Sequence, residues 1–579
     1  MRRMPRLVGA VLCAALILWV YPLPAFSGGY APDDVRALGG RVPSLSAFPG
    51  FDGVVWRVIR SYRMRSDGSV EAETSMVAMV GERVPGVLQE IRLPIPDGWS
   101  VEADPVRWYN PLTWREEGSR KSEESIEDGV KAVSIKVPSD AVGRVATIRW
   151  VQRIPSKASM GALVEFGLPI PVWEEVLSVE VPSGKELAFR SFGVDDPVKF
   201  SSQGVDRYTW SLSNLGGVVT SGIAEVRRPY VIFGTSKGSA LVALRLSEME
   251  RSLLSWGAKP QAYLPKSLKG KLEALSSGPR VARYIWGVPW DVSFDSGSTG
   301  ALKAALEAEG YRVRVFWQPL VDLPDDPPVA EGMWLRPVLR ASRPGEGDVL
   351  FFPGQSVPFG QLPPELCGST LWAPKDGGGL ESLPVPFYTA AQSRLLVSLK
   401  GEVDPDGAFS GALEVSAWGM WHGMVGHEAG LDWLAAGALK DFRDVAHKRT
   451  SGGVVLKANV SGRIGMGSNG GMLLMVPSVY PRWLDLLVDP KGTTTPRFPF
   501  TVEQRVELGI PKGLDVVLPP VIRNSGAVSQ RFSISPRKGR LSFLSILTVK
   551  PKGKSGGLSA EDLVYFARGL SEGVLLRGK

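Results

Sequence analysis

The chain has 579 residues, 44% of them hydrophobic and 22% charged, a balance that excludes a disordered or fibrous protein. Its formal charge of +8 is spread thinly, and the absence of any dense Lys/Arg cluster excludes the electrostatic footprint of a nucleic-acid binder. With only Cys13 and Cys367 present, a disulfide-built scaffold is excluded too.

The N-terminus begins with a basic segment carrying Arg2, Arg3 and Arg6, followed by an apolar run from Leu7 to Val20. That run is short of the roughly 20 residues a spanning helix needs. Pro22 and Pro24 break it, and Ala25-Phe26-Ser27 places small residues just before Gly28. The order is that of a secretory signal peptide over residues 1–27, cleaved near Ser27; the competing reading is an uncleaved anchor. The expected location is periplasmic or extracellular, with no stable membrane span after cleavage. Cys13 then lies within the leader, and Cys367 is left without an intramolecular partner.

Residues 28–240 read as an N-terminal antiparallel β-sandwich. Ser69 to Thr74, Lys131 to Val137, Arg144 to Ile154 and Glu174 to Val181 alternate apolar and polar residues, with Gly, Pro, Asp and Ser between the runs. Residues 241–400 change texture. Ala301, Leu302, Ala305 and Leu306 form the apolar stripe of a helix over 295–309, Gly310 stops it, and Tyr311 to Trp317 alternates as a strand. The proline-rich stretch Pro319 to Pro328 reads as loop. Residues 401–579 form a β-rich C-terminal domain with helices. The pattern predicts a helix over Gly430–Val445, from Leu431, Leu434, Ala435, Ala438, Leu439 and Phe442, and a final helix from Ser559. Ser451 to Gly471 reads as a glycine-rich connection, and Arg505–Pro519 and Leu541–Val549 as late strands. The fold class is thus multidomain and mainly β with a central α+β unit, in about three domains.

The order of these parts resembles a bacterial exported family that joins an N-terminal β domain of unknown function to a transglutaminase-like domain and a β-rich C-terminal region. The matches are the segment 50–235 ending in Arg228-Pro229-Tyr230-Val231-Ile232, the helix–glycine–strand unit at 295–317, Asp348 to Pro353 with Gly360-Gln361-Leu362-Pro363, Asp404 to Gly419, and Phe498 to Pro519 with Ile510-Pro511-Lys512-Gly513. The resemblance implies a papain/transglutaminase-like core. In active members a Cys opens the core helix, a His sits on the next strand and an Asp on the one after. The helix dipole lowers the thiol pKa, the His takes its proton and the carboxylate orients the His. Here those positions fall on Asp295, on Leu335 or Arg336, and on Phe352, and no histidine precedes His422. The resemblance therefore implies a degenerate member that has lost its catalytic residues. Asp295 reads as a helix cap, with Ser298 one turn inside.

Other constellations compete. Cys367 is a candidate nucleophile with His422, His427 or His447 as base, although its setting in Pro363-Pro364-Glu365-Leu366-Cys367-Gly368 reads as a turn. His427-Glu428 starts like a zinc-protease motif, but Leu431 stands where the second His is required. Gly465 to Gly470 lacks the lysine of a phosphate loop. Trp99, Trp108 and Trp114 lie close in sequence and are a candidate platform for sugars or peptides, against their ordinary use as buried aromatics. The leading expectation is an exported non-catalytic protein that binds an envelope protein, peptide or glycan, with no cofactor and no metal. The alternatives are a cysteine-dependent peptidase, amidase or transglutaminase-like enzyme with a relocated site, and a cell-wall carbohydrate-binding module.

Overall fold

The computed structural model describes residues 32–578 except 256–295, 550–561, 567–572 and shorter breaks, the longest of them at 218–223, 354–361, 426–430, 488–493 and 518–522. The chain is mainly β, arranged in several separate sheets. It divides into two compact units. One comprises Met1–Ala158, Phe166–Lys185 and Ser191–Gly217; the other comprises the remainder.

The first unit opens with helix α1 (Pro32–Gly39). Its nine-stranded sheet includes β1 (Gly53–Met64), β2 (Val70–Val80), β3 (Ser100–Ala103), β4 (Val145–Ile154), β5 (Val172–Pro182) and β6 (Val205–Leu215). Their order is β6-β5-β1-β2-β4, with β3 also paired to β4. The β1–β2 hairpin turns on Asp67-Gly68. Asp67 Oδ1 accepts the Ser69 N–H at 2.8 Å, and Gly68 takes φ +82, which costs a residue without Cβ nothing.

The alternation expected for this region is present, but the sheet is not purely antiparallel. β1 and β5 run parallel, from Val55 opposite Val172 to Arg63 opposite Glu180. At one end, α1 and the aromatic residues Trp56 and Tyr109 cover part of a face, burying Val35, Leu38, Val54, Val77 and Val145.

In the second unit, α2 (Ser239–Ser255) and α3 (Ser296–Ala308) pack with a five-stranded sheet made of β7 (Arg312–Pro319), β8 (Trp334–Ser342), β9 (Val349–Phe351), β10 (Thr370–Pro374) and β11 (Leu380–Pro384). Gly310 ends the helical segment with φ +85, as the glycine stop signal predicts. Leu302 and Leu306 of α3 join Val313, Val315, Trp317, Leu339, Ala341 and Phe351 in one buried cluster.

An eight-stranded sheet follows, built from β12 (Arg394–Val403), β13 (Ala408–Trp418), β14 (Leu439–Arg449), β15 (Gly453–Arg463), β16 (Phe500–Gly509), β17 (Arg523–Ser525), β18 (Val528–Ser535) and β19 (Arg540–Val549). Their order is β14-β15-β13-β12-β16-β19-β18-β17, and β12 and β16 pair in parallel.

Two expectations fail in this sheet. No helix forms over the described part of 430–445: Leu431 and Trp433 enter the core from irregular chain, Leu434 from a two-residue strand paired with Tyr480–Pro481, and Leu439 begins β14. Leucines and alanines three and four apart satisfy a helical period. The later part of the segment, however, finds hydrogen-bonding partners on β15, with a bulge where Asp444 takes φ +54. The glycine-rich 451–471 segment is no connector either, because Val454, Leu456, Ala458 and Val460 alternate inward along β15. The predicted start of the final helix, at Ser559, lies outside the described residues.

Candidate functional site

Of the three positions where the resemblance implies lost catalytic groups, Asp295 lies outside the described residues. Arg336 sits on β8 opposite Gln318, half-buried, next to Leu335 at a register shift. Phe352, directly after β9, packs with Phe316, Val338, Leu366 and Leu371. That cluster lies on the face of the five-stranded sheet opposite the one carrying Val315, Leu339 and the α3 leucines. Arg336, two residues before Val338, shares the Phe352 face by strand alternation. Arg336 and Phe352 are therefore not turned towards α3.

Cys367 is 8% exposed and belongs to the large core beneath the eight-stranded sheet, its Sγ 3.9 Å from the Pro386 carbonyl oxygen. His422, in the short helix Met420–Val425, is buried, and His447 is exposed on β14. His427 and Glu428 lie outside the described residues. Among the described residues no group of three or more His, Cys, Asp or Glu is placed to hold a metal ion.

The three tryptophans offered as a platform pack locally. Trp108 lies over Gly118 of its paired strand, where an added Cβ would come within 2.2 Å of the indole. Trp114, held at φ +58, sets its ring 6.2 Å from that of Trp56. Trp99 is half-buried in a turn.

The densest functional chemistry in the described structure lies on one face of the nine-stranded sheet. Strand alternation puts Arg57, Ile59, Ser61 and Arg63 of β1 on this face, and the registers bring charged or hydroxyl residues beside Ser61 and Arg63 from both sides and beside Arg57 and Ile59 from one. Arg57 donates to Glu174 at 2.7 Å. Glu180 is gripped twice: Arg63 Nε donates to Oε2 and Arg207 Nε to Oε1, both at 2.6 Å. On β2, Glu71 Oε2 accepts from Arg65 at 2.6 Å and faces Arg153 at 3.6 Å, while Glu73 Oε1 accepts from Arg149 at 2.6 Å. Arg149 also reaches Asp104 at 3.1 Å, and Arg153 binds Glu102. One row across the sheet thus reads Arg207–Glu180–Arg63–Glu71–Arg153.

The adjacent row is different. It reads Thr209–Ser178–Ser61–Glu73 across four strands. Ser61 is 7% and Ser178 1% exposed, and neither hydroxyl has a hydrogen-bond partner among the described residues. Ser61, Arg63, Glu71, Glu73 and Glu180 line one shallow depression together with Tyr62. Burial pulls the Arg149 pKa down, but the hydrogen bonds and charges of Glu73 and Asp104 outweigh it, leaving the pKa raised.

Sequence reading treats these strands as sandwich scaffolding and misses the face. A signal for it is present. Arg57 and Arg63 are six apart, as are Glu174 and Glu180, so both ion pairs span the same 117 residues. A constant separation between opposite charges is what a parallel strand pair produces.

No family model matches the chain, and no curated protein sequence matches it. Among solved structures, a "putative protease" from Parabacteroides distasonis overlaps 91% of this chain and 99% of its own at 12% identity, with a TM-score of 0.47. An M1 zinc metallopeptidase from Deinococcus radiodurans overlaps 39% of this chain and 53% of its own at 11% identity, TM-score 0.18. Legionella pneumophila aminopeptidase A overlaps 46% of this chain and 35% of its own at 12% identity, TM-score 0.19. This chain spans about half the length of the Deinococcus enzyme and about a third of the Legionella one. Overlaps this loose carry neither fold nor activity to the present chain.

Proposed function

We propose that the protein is an exported, non-catalytic binding or scaffold protein of the cell envelope, built on a transglutaminase-like plan without the residues for acyl transfer. The observation that carries the reading is the place of Cys367. A nucleophilic cysteine needs a partly exposed, electropositive setting with a base beside it. Cys367, the one thiol outside the expected leader, is instead enclosed in an apolar core against a backbone carbonyl. Where the resemblance calls for a thiol the sequence has Asp295, and its first imidazole is His422. The charged face of the first unit supports a binding role, because its side chains are already fixed in place by their neighbours and lose little freedom when a partner docks.

The test is direct. Purified protein should show neither amine incorporation nor hydrolysis on casein-type substrates, and native Cys367 should react with iodoacetamide far more slowly than the urea-unfolded chain. Turnover abolished by Cys367→Ala or Asp295→Ala would overturn the reading. For export, Edman sequencing of protein recovered from outside the cytoplasm should begin at Gly28. A chain that keeps Met1 and remains in the cytoplasm would overturn that part.

A further inference from the structure

The depression on the charged face has a definite hydrogen-bonding imbalance. Every arginine around it is already engaged: Arg63 and Arg207 with Glu180, Arg65 and Arg153 with Glu71, and Arg149 with Glu73. Glu180 has both carboxylate oxygens occupied. Among the described residues Glu71 and Glu73 each use one, Oε2 and Oε1 respectively, leaving Glu71 Oε1 and Glu73 Oε2 as acceptors. Ser61 lines the same depression and Ser178 lies beside it on β5; both hydroxyls are buried, with nothing among the described residues bonded to either. Ser61 stands directly opposite Glu73 on one side and Ser178 on the other. An unsatisfied hydroxyl at such burial calls for a partner, and here the surplus is of acceptors.

We propose that this depression binds a single primary ammonium group. The assignment rests on reading the protein as a binding protein, and it names what one site on it takes. An ammonium carries three donors on one nitrogen, matching three separate acceptors: Ser61 Oγ, Glu71 Oε1 and Glu73 Oε2. A guanidinium is a poorer match. Its planar fork wants both oxygens of one carboxylate, and each carboxylate here has at least one oxygen already taken. A bare divalent cation is disfavoured because the carboxylates are tied to arginines, and no metal-holding group is found among the described residues. The ammonium has two sources, a lysine side chain on a docked polypeptide or a free small amine.

Calorimetric titration of the whole exported chain separates these. The probes are Nα-acetyl-lysine methylamide, its Nε-acetylated form, and methylammonium chloride. Nα-acetyl-lysine methylamide should bind with a Kd on the order of millimolar, as expected of one small charged group, and the Nε-acetylated form should not bind. Glu73→Gln should weaken binding at least tenfold. Should that variant fold poorly by circular dichroism, Glu71→Gln is expected to do the same. Glu174→Gln, which breaks an ion pair outside the depression, should bind like wild type. Binding to the lysine derivative alone would point to a polypeptide; equal binding of methylammonium would point to a small amine. Equal binding of the acetylated form, or unchanged affinity in both Glu71→Gln and Glu73→Gln, would overturn the inference. Neither result would touch the non-catalytic reading, which falls only on turnover.

Discussion

The two faces of the nine-stranded sheet put the same chemistry to opposite uses. On one face, Arg60 and Glu175 pair at 2.9 Å with side chains 3% and 1% exposed, and the Gly167 N–H donates to the same carboxylate at 2.7 Å. On the other, Arg63 and Arg207 hold Glu180, with the guanidiniums about a third exposed. Both arrangements bridge β1 and β5. Burial separates them. Inside, each charge has given up water and relies on partners within the protein; outside, water still solvates the ends of the side chains and spare acceptors remain within reach. The buried pair is therefore a structural commitment, and the open lattice is a surface that still has hydrogen bonds to offer.

That contrast can be broken most forcefully at Glu175. Glu175→Gln leaves Arg60 charged and buried, and should cost about 3–5 kcal/mol in urea denaturation followed through the first unit. Replacing both partners, as Arg60→Met with Glu175→Leu, should recover most of the loss. If the single variant unfolds at the wild-type midpoint, the pair is not the commitment described. The same change on the open face, Glu180→Gln, should cost less, about 1–3 kcal/mol, because its arginines can turn to water. A loss equal to that of Glu175→Gln would erase the distinction between the faces. Smaller still is Ser178→Ala, which removes a hydroxyl with no described partner. Its urea midpoint should correspond to a change within about 0.5 kcal/mol, since no protein hydrogen bond is lost. A large loss would mean that Ser178 has a structural partner after all.

The sequence makes some of this legible and hides the rest for identifiable reasons. The mainly β character, the α3–Gly310–β7 unit and the alternation of β2 and β5 are readable because they are local: each depends on residues two to four positions apart. The helix expected over 430–445 fails because its pairing partner, β15, decides the conformation, and periodicity does not see partners. Apart from the shared 117-residue spacing of its two ion pairs, the charged face is hidden for the same reason on a larger scale. Ser61 looks like an ordinary strand serine until β5 and β2 place Ser178 and Glu73 on either side of it. Aromatic count draws attention to Trp108 and Trp114, whose rings fill local gaps above glycines. Rarity of a residue type is a weaker guide than the arrangement of common ones.

The mildest way to sharpen the comparison is acid. Glu102 lies at the rim of the lattice, 65% exposed, and the hydrogen bond from Arg153 lowers its pKa from the usual 4.5, with slight burial opposing and the charges of Arg153 and Arg149 assisting. A carboxylate with a lowered folded pKa stabilises the fold fully above its unfolded value and loses that contribution as pH falls through the folded one. The pair should therefore help at about pH 6 and lose its contribution in strong acid, once the pH has fallen below the lowered folded pKa. Glu102→Gln should lower the urea midpoint slightly at about pH 6, less so in high salt because the pair is open to screening, and should match wild type in strong acid. A difference that persists unchanged at about pH 2 and in roughly 1 M salt would show that Glu102 acts through packing rather than charge. The rim of the lattice would then resemble the buried face more than the open one.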